Sequence, residues 1–493
     1  MARDARVVLL VVAGDRRLAR QVPGGPHGAV TALEAGGAVM PLSLPTEIAQ
    51  WVGEATGGEL VKARRLPGGN RRQAWLLDVH QESGGPERLF LRFDPSEPNP
   101  TVEPHTLWRE AAVYRALMRT DVRIPRLVAV HPTIQAFVTE RAEGSAAYHL
   151  ASDAVRRAVA RDFMHQLGRL HRIAPGALEL AELGAVRSPD EELRSEVQTW
   201  ERLYRDTGRS DPLIEFGFSW LVRHTPELGG PVVLVHGDAG PSNFIFADTC
   251  VTAVIDWEFA HFGDPMEDLA WLSMRSMFQP IPDFPARLRE YETESGISID
   301  LDRIRFYRIL VQLKVAVIRH RDTGNPDSNS DVAMSLMSRA VNRRALVEAL
   351  ADLAGLSVEP APAARALPTE RTWIYESLLQ ELRDVIVPLS SDDLVVAKAK
   401  SAARVIKYLE RVDRLQSILD DEELRDLSDV LGHEVASLQA GRDELAVALR
   451  EYGIPEMIAV RLLSRQAARD IELIRPALGA LMSRHLPRLD AAE

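Results

Sequence analysis

Cysteine, long apolar runs and excess positive charge are all scarce in this sequence of 493 residues. Its single cysteine, Cys250, excludes a disulfide framework and a cysteine-based zinc or iron–sulfur site within the chain. The early apolar run at residues 7–13 is far shorter than the ~20 residues that a membrane-spanning helix needs. The net charge of −12 disfavours a general nucleic-acid or anionic-membrane surface. We therefore expect a cytoplasmic protein with no nucleic-acid or membrane partner, and Cys250 as a small buried hydrophobe.

The length predicts about three domains, at ~150 residues each. Residues 1–44 are rich in glycine and alanine and lack periodicity, which is typical of a weakly structured leader. Residues 45–140 alternate between strand and helix patterns, and helical patterns dominate from residue 152 onward. Residues 358–368 have the Pro/Ala composition of an inter-domain linker. Residues 369–493 carry helical periodicity almost throughout and predict a separate helical domain.

The residues that indicate chemistry lie between positions 232 and 258. An apolar strand leads into Asp238, Asn243 follows five residues later, and an apolar hairpin then ends in Asp256. This is the catalytic-loop pattern of kinases, in which the first Asp accepts the proton of the attacking hydroxyl. The Asn and the second Asp of that pattern hold magnesium, which prefers oxygen ligands, against the phosphates of ATP. The spacing predicts Asp238 as the catalytic base and Asn243 and Asp256 as metal ligands.

The sequence of this segment resembles that of the aminoglycoside phosphotransferase family, which has a protein-kinase-like fold. The resemblance rests on His236-Gly-Asp-x-x-x-x-Asn, on Ile255-Asp-Trp-Glu and on Gly263-Asp-Pro-x-x-Asp-Leu-Ala. It covers about residues 48–350. The stretch from Ile255 to Trp271 is most similar to the branch that resembles the kinase-like domain of some acyl-CoA dehydrogenases.

The resemblance implies an α+β, protein-kinase-like phosphotransferase domain at residues 45–357 that uses ATP and Mg²⁺. Its small β-rich N-lobe would span about residues 45–140, and its mostly helical C-lobe about residues 141–357. An all-α domain at residues 369–493 would follow the linker.

The resemblance also implies nucleotide-binding residues in the N-lobe. Gly68 and Gly69 lie where the family places its glycine-containing loop, although a two-glycine turn alone usually marks only a hairpin. Arg92 occupies the slot of the lysine that contacts the α and β phosphates, and an arginine keeps the charge and can bind phosphate bidentately. Glu110, in a helix that Thr106 can cap, lies near the edge of the apolar stripe, from which it could pair with Arg92.

Three further acidic or histidine side chains accompany the motif. We interpret His236 as a brace for the loop and Asp268 as the residue that ties its helix to that loop. Glu258 shares a strand face with Asp256, and its role is open between a structural contact and contact with a metal or a cationic substrate.

Three functions compete. The first is transfer of the γ-phosphate of ATP to a hydroxyl of a small metabolite, for which the branch suggests hydroxy acids or their CoA esters. The second is a pseudokinase-type binding or regulatory protein that acts through its C-terminal helices, and the third is a protein kinase. The presence of all three site residues argues against a pseudokinase. Gly263 follows Asp256 so closely that little room remains for an activation segment, which argues against a protein kinase.

The role of residues 369–493 stays open between packing on the kinase-like domain, dimerisation and binding of a protein partner. Every predicted site residue precedes position 270. We therefore predict that a chain ending near residue 360 folds and still binds magnesium-ATP.

Overall fold

The computed structural model describes residues 44–66, 72–81, 85–96, 104–324, 331–356 and 366–490. The predicted leader up to residue 43 and linker residues 358–365 lie outside the described residues, and so do Gly68 and Gly69.

The first part of the chain is an antiparallel sheet with two helices. In chain order its elements are α1 (Thr46–Thr56), β1 (Gly58–Arg65), β2 (Gln73–Gln81), β3 (Pro86–Phe93), α2 (Leu107–Leu117), β4 (Leu127–Val130) and β5 (Ala136–Glu140). The five strands lie in the order β1-β2-β3-β5-β4. Alternate side chains of a strand face the same side, so Trp75 and Leu77 of β2 and Leu89 and Leu91 of β3 are buried together. This layer is the predicted N-lobe.

The second part is mostly helical and contains two small β pairs. Its elements are α3 (Asp153–Arg172), α4 (Pro189–Arg205), α5 (Pro212–Arg223), β6 (Val233–Val235), β7 (Phe244–Ala247), β8 (Cys250–Val254), β9 (His261–Gly263), α6 (Met266–Phe278), α7 (Phe284–Ser295), α8 (Leu301–Gly324) and α9 (Val332–Leu353). Strand β6 pairs with β9, and β7 pairs with β8. A small antiparallel sheet followed by a larger helical lobe is the two-lobe architecture expected of a protein-kinase-like fold, so the predicted fold class is confirmed.

Side-chain caps fix where two of the long helices begin. The hydroxyl of Thr106 accepts a hydrogen bond from Arg109 N at 3.2 Å, and the hydroxyl of Ser152 accepts one from Val155 N at 3.4 Å. Such a cap satisfies a backbone N–H that has no partner inside the helix and is worth about 1 kcal/mol. The cap at Thr106 sets the start of α2, which carries Glu110, and its prediction is confirmed.

The chain after the linker is all-α, as predicted. Its elements are α10 (Thr372–Glu381), a π-helical turn (Leu382–Ile386), α11 (Val387–Leu389), α12 (Asp393–Leu431), α13 (Leu438–Arg450), α14 (Glu456–Leu478) and a short 3₁₀ segment (Gly479–Ser483). Among the described residues, no helix combines the length and the apolar character needed to cross a membrane.

These C-terminal helices share hydrophobic cores with the C-lobe. Leu445 of α13 and Leu463 of α14 belong to the same buried cluster as Phe216 of α5. A second cluster joins Met277 of α6 to Ile474 of α14. The domain boundaries stay a prediction, but the packing across the linker is continuous.

The prediction that Cys250 is buried is wrong, because its side chain is exposed. Cys250 pairs with Ala247 next to the turn of the β7–β8 hairpin, and the register shifts between Ile245 and Phe246. In the resulting alternation Val251 faces the core, and Cys250 faces outward.

Candidate active site

The loop that follows β6, residues 236–243, is held in place by Asp268 of α6; we call it the catalytic loop. Asp268 Oδ2 accepts a hydrogen bond from His236 N at 2.8 Å, and Oδ1 accepts one from Gly237 N at 3.0 Å. Its Oδ2 also lies 3.1 Å from His171 Nε2. Burial opposes the charge of Asp268, but His171 outweighs it and holds the pKa of this carboxyl below its usual value. The predicted link between α6 and the loop is confirmed.

His236 braces the catalytic loop against Ile255, the residue that directly follows β8. Its Nε2 lies 3.0 Å from the carbonyl oxygen of Ile255, and its Nδ1 accepts a hydrogen bond from Asp238 N at 3.2 Å. Its ring packs on Trp257 with a centroid distance of 4.5 Å. The predicted bracing role is confirmed.

The structure brings Asp238 and Asn243 into direct contact. Asn243 Nδ2 donates to the backbone oxygen of Asp238 and to its Oδ2, both at 2.8 Å. Both side chains are buried. These two hydrogen bonds fix the orientation of the Asn243 side chain. They involve Nδ2, and Oδ1 is the side-chain atom that does not bind Asp238.

Sequence reasoning missed the strongest partner of Asp238, which is Arg275 of α6. Arg275 Nε donates to Asp238 Oδ1 at 2.8 Å, and Arg275 Nη2 donates to Oδ2. Burial opposes the charge of Arg275, but Asp238 outweighs it and raises the pKa of the guanidinium. A local signal existed: Arg275 follows Asp268 by seven residues, which is about two helical turns and places both on one face.

Gly240 provides the space that Arg275 needs to reach the loop. A Cβ at this position would lie 2.8 Å from Arg275 Cβ and 3.0 Å from Arg275 Cγ. Its φ of 138° is also one that L side chains rarely adopt. Glycine therefore permits the close approach of α6 to the catalytic loop.

Asp256 lies after β8 with a φ of 68°, in the left-handed region that Asp tolerates better than most residues. Its Oδ1 accepts a hydrogen bond from Arg92 Nη1 at 3.0 Å, and its backbone N–H donates to the hydroxyl of Tyr114 at 3.2 Å. Burial opposes the charge of Asp256, but Arg92 and Arg275 outweigh it and hold its pKa below its usual value. Asp256 is therefore ionised and oriented.

Arg92 and Glu110 are brought together, with 3.9 Å between Arg92 Nη2 and Glu110 Oε2. Glu110 is only 1% exposed. Burial raises its pKa to about 7, against the attraction of Arg92 and with a further contribution from Asp256. For Arg92, burial opposes the charge, but Glu110 and Asp256 outweigh it and raise its pKa.

Glu258 and Arg72 form an ion pair beside Arg92. Arg72 Nη1 donates to Glu258 Oε2, and Arg72 Nη2 donates to the backbone oxygen of His105. Glu258 Oε2 also lies 3.5 Å from Arg92 Nη2. Burial and then the neighbouring Asp256 raise the pKa of Glu258. Glu258 thus forms ion pairs with Arg72 and Arg92, while its contact with a metal or a cationic substrate stays a hypothesis. Arg72 was not foreseen.

Comparison with known proteins shows the family of the chain. Residues 62–307 match the model of the phosphotransferase enzyme family. The chain belongs to that family.

Curated relatives of this phosphotransferase are acyl-CoA dehydrogenase family members. The rat protein named acyl-CoA dehydrogenase family member 11 is 29% identical over 182 residues, which cover 34% of this chain and 23% of the relative. The chicken protein of the same name is 27% identical over 296 residues, which cover 52% of this chain and 38% of the relative. The matched part of the phosphotransferase therefore spans well under half of either relative.

Solved structures similar to this phosphotransferase match at lower identity. A Ralstonia eutropha protein described as an aminoglycoside phosphotransferase is 22% identical, covering 61% of this chain and 94% of that chain with a TM-score of 0.46. Macrolide 2′-phosphotransferase from Brachybacterium faecium is 18% identical, covering 57% of this chain and 99% of that chain with a TM-score of 0.43.

The described part of the cleft fits a nucleotide-bound divalent cation. The contacts above gather four carboxylates around three guanidinium groups, namely Glu110, Asp238, Asp256 and Glu258 around Arg72, Arg92 and Arg275. Burial is the main cause of the raised pKa values of Glu110 and Glu258, and the nearby carboxylate of Asp256 raises both further. A bound cation would offset the repulsion between these carboxylates, and the oxygens of Asn243 and Asp256 are the donors that magnesium prefers.

A second group of acidic and histidine side chains is already neutralised from within. Glu196, His261 and Glu267 lie together, with ligand atoms within 4.8 Å of one another. The ammonium of Lys314 lies 2.6 Å from Glu196 Oε1 and 2.5 Å from Glu267 Oε1. The lysine occupies the position that a cation would take, so we interpret the group as a buried ion-pair cluster.

Proposed function

We propose that this phosphotransferase transfers the γ-phosphate of ATP to a hydroxyl group of a small molecule. The observation that carries the proposal is the contact between Asp238 and Asn243 at the end of β6, with Asp256 on the hairpin that follows. Phosphoryl transfer asks a protein for positioning and for neutralised charge, and these three oxygen-bearing side chains supply both.

Each side chain has a defined task in this proposal. A carboxylate oxygen of Asp238 accepts the proton of the acceptor hydroxyl. Asn243 and Asp256 would hold magnesium, which when bound neutralises phosphate charge. Arg92, oriented by Glu110, would bind the α and β phosphates, and Gly68 and Gly69 would belong to the loop over the nucleotide.

The acceptor class that we favour is hydroxy acids or their CoA esters. Support comes from the relatives named acyl-CoA dehydrogenase family member 11, which match 34% and 52% of this chain. A cytoplasmic location, where ATP and magnesium are supplied, belongs to the same proposal. So does a second copy or a protein partner bound through residues 369–493.

The test is ADP release from magnesium-ATP in the presence of a panel of hydroxy acids, their CoA esters and aminoglycosides. We expect one acceptor class to raise ADP release in the wild-type protein and not in Asp238→Asn. Nucleotide binding without turnover on any acceptor would favour the pseudokinase alternative instead.

Calorimetry tests the metal assignment separately. ATP affinity should fall when magnesium is replaced by a chelator, and Asp256→Asn should weaken magnesium-dependent binding by at least about tenfold. Asp248→Asn is the matched control, because Asp248 is exposed in the β7–β8 turn and its φ of 51° suits Asn. Equal affinity with and without magnesium would contradict the assignment.

A further inference from the structure

Helix α6 holds the catalytic loop at three points. Asp268 binds the start of the loop, and Arg275 binds Asp238. Gln279, directly after the helix, donates from Nε2 to Ser242 Oγ at 2.5 Å. The last turn of α6 therefore determines where the guanidinium of Arg275 and the amide of Gln279 lie, and with them the second half of the loop.

The C-terminal segment of the chain contacts that last turn. Arg484 Nη1 donates to the backbone oxygen of Phe278, the last residue of α6. The final carbonyls of a helix have no partner within the helix, and a cation at this end also interacts favourably with the helix dipole. Burial and then the nearby Arg156 lower the pKa of Arg484. The charged guanidinium of Arg484 thus lies at the helix end although burial and Arg156 both disfavour its charge.

The segment that carries Arg484 is itself anchored. Arg344 of α9 donates to the backbone oxygens of Met482 at 2.8 Å and Leu481 at 3.2 Å, and also to that of Arg484. The side chain of Leu481 is buried in the same apolar cluster as Met277 of α6. The segment therefore holds the end of α6 by one polar and one apolar contact.

We propose that Arg484 is a positioning residue for phosphoryl transfer. By holding the carbonyl of Phe278 it fixes the last turn of α6, and this turn fixes Arg275 against Asp238. The kinetic part of this inference rests on the proposed function. Arg484 lies outside residues 62–307, the region that matches the family. The contact that holds the end of α6 therefore comes from the C-terminal part of this chain.

Hydrogen–deuterium exchange of the full chain tests the positioning without any substrate. Arg484→Met should accelerate exchange about tenfold in the last turn of α6, as expected when a hydrogen bond to a charged group is lost. The acceleration should extend to residues 236–243. Arg488→Met is the matched control, because Arg488 is 72% exposed on the same segment. An Arg484→Met protein whose catalytic loop exchanges at the wild-type rate would overturn the proposal.

A double-mutant cycle then tests the route of the effect. With ADP release from magnesium-ATP as the readout and water as the acceptor, Arg484→Met should lower kcat severalfold and leave the KM for ATP within about twofold. If Arg484 acts through Arg275, adding Arg484→Met to Arg275→Lys should cost little more than Arg275→Lys alone. Full additivity of the two losses would refute this route.

The two proposals fail in different ways. A wild-type protein that releases no more ADP than Asp238→Asn with every acceptor of the panel would refute the proposed function, and the exchange experiment would still decide the positioning role. Thermal melts of each variant separate a local effect from global unfolding, and Arg484→Lys, which keeps a donor and a charge, should restore part of the wild-type exchange pattern.

Discussion

Arg275 Nε lies 2.8 Å from Asp238 Oδ1, and Arg275 Nη2 contacts Oδ2, so one guanidinium engages both oxygens of the proposed base. A bidentate arginine–carboxylate pair fixes the plane of the carboxylate as well as its charge. Orientation of this kind is what a general base needs, since proton transfer requires hydrogen-bond contact with the acceptor hydroxyl. The acceptor must therefore approach a carboxylate that is already held in place from the side of α6.

Replacement of Asp238 by Asn is the most direct test of the base. Asn is nearly isosteric but cannot take the hydroxyl proton, so turnover should fall at least about 100-fold. ATP affinity, measured by calorimetry, should stay within a few-fold. Asp248→Asn serves as the control, because Asp248 is exposed in the β7–β8 turn. Turnover within threefold of the wild type, on an acceptor that the wild type uses, would contradict the role.

Gly240→Ala tests whether the approach of α6 matters. The new Cβ would meet Arg275 Cβ at 2.8 Å at a φ of 138°, so either the arginine or the loop must shift. We expect the free energy of unfolding to fall by about 1–3 kcal/mol and kcat to fall about tenfold. Gly85→Ala is the control, because a Cβ at Gly85 would lie in open space. Unchanged kcat in Gly240→Ala would show that catalysis tolerates a displaced Arg275.

The sequence predicts the features that depend on local patterns. The cap at Thr106, the strands that flank the catalytic loop, and the presence of Asp238 and Asn243 in one loop all follow from spacing over a few residues. Two residues that are five positions apart, such as the predicted base and the predicted metal ligand, lie in one loop however the rest of the chain packs.

Contacts between distant segments could not be predicted in the same way. Arg275 and Asp238 are 37 residues apart, and Arg484 and Phe278 are 206 residues apart. Both depend on how whole helices dock, which helical periodicity does not reveal. The exposure of Cys250 depends on which face of β8 packs on the core, and a shift of register by one residue exchanges the two faces of a strand.

The buried Glu110 predicts a pH dependence of stability. Its pKa is about 7 in the folded protein, against 4.5 for the unperturbed group. Between these two values the folded chain retains a proton that the unfolded chain has lost, so stability falls as the pH rises from about 4.5 to about 7. Glu110→Gln removes this dependence. As the pH rises from about 4.5 to about 7, the unfolding free energy of Glu110→Gln should therefore increase relative to that of the wild type by up to about 3 kcal/mol.

Thermal and chemical unfolding at pH 5, 6, 7 and 8 measures this shift. Glu47→Gln, at an exposed position of α1, is the matched control and should show the pH profile of the wild type. If the wild type and Glu110→Gln unfold with parallel pH profiles, Glu110 does not titrate in this window. The ion pair with Arg92 would then dominate over its burial.

The shared core leads to the last prediction, which opposes the one drawn from the sequence alone. Removal of all residues after 360 would uncover the side of α9 that packs along α14, including Val341, and the side of α6 that carries Met277. Each large apolar side chain is worth about 1.5–3 kcal/mol when buried, and a typical domain is stable by only about 5–15 kcal/mol. We therefore expect the shortened chain to aggregate or to melt well below the full chain.

Supplying the missing piece provides the control for that experiment. Co-expression of residues 1–360 and 361–493 as separate chains should recover a soluble complex that melts near the full-length protein, because the interface itself is intact. Size-exclusion chromatography, thermal melts and ATP titration compare the three samples. A soluble shortened chain that melts within a few degrees of the full chain and binds magnesium-ATP would show that the kinase-like domain is independent, and that Arg484 is dispensable for its fold.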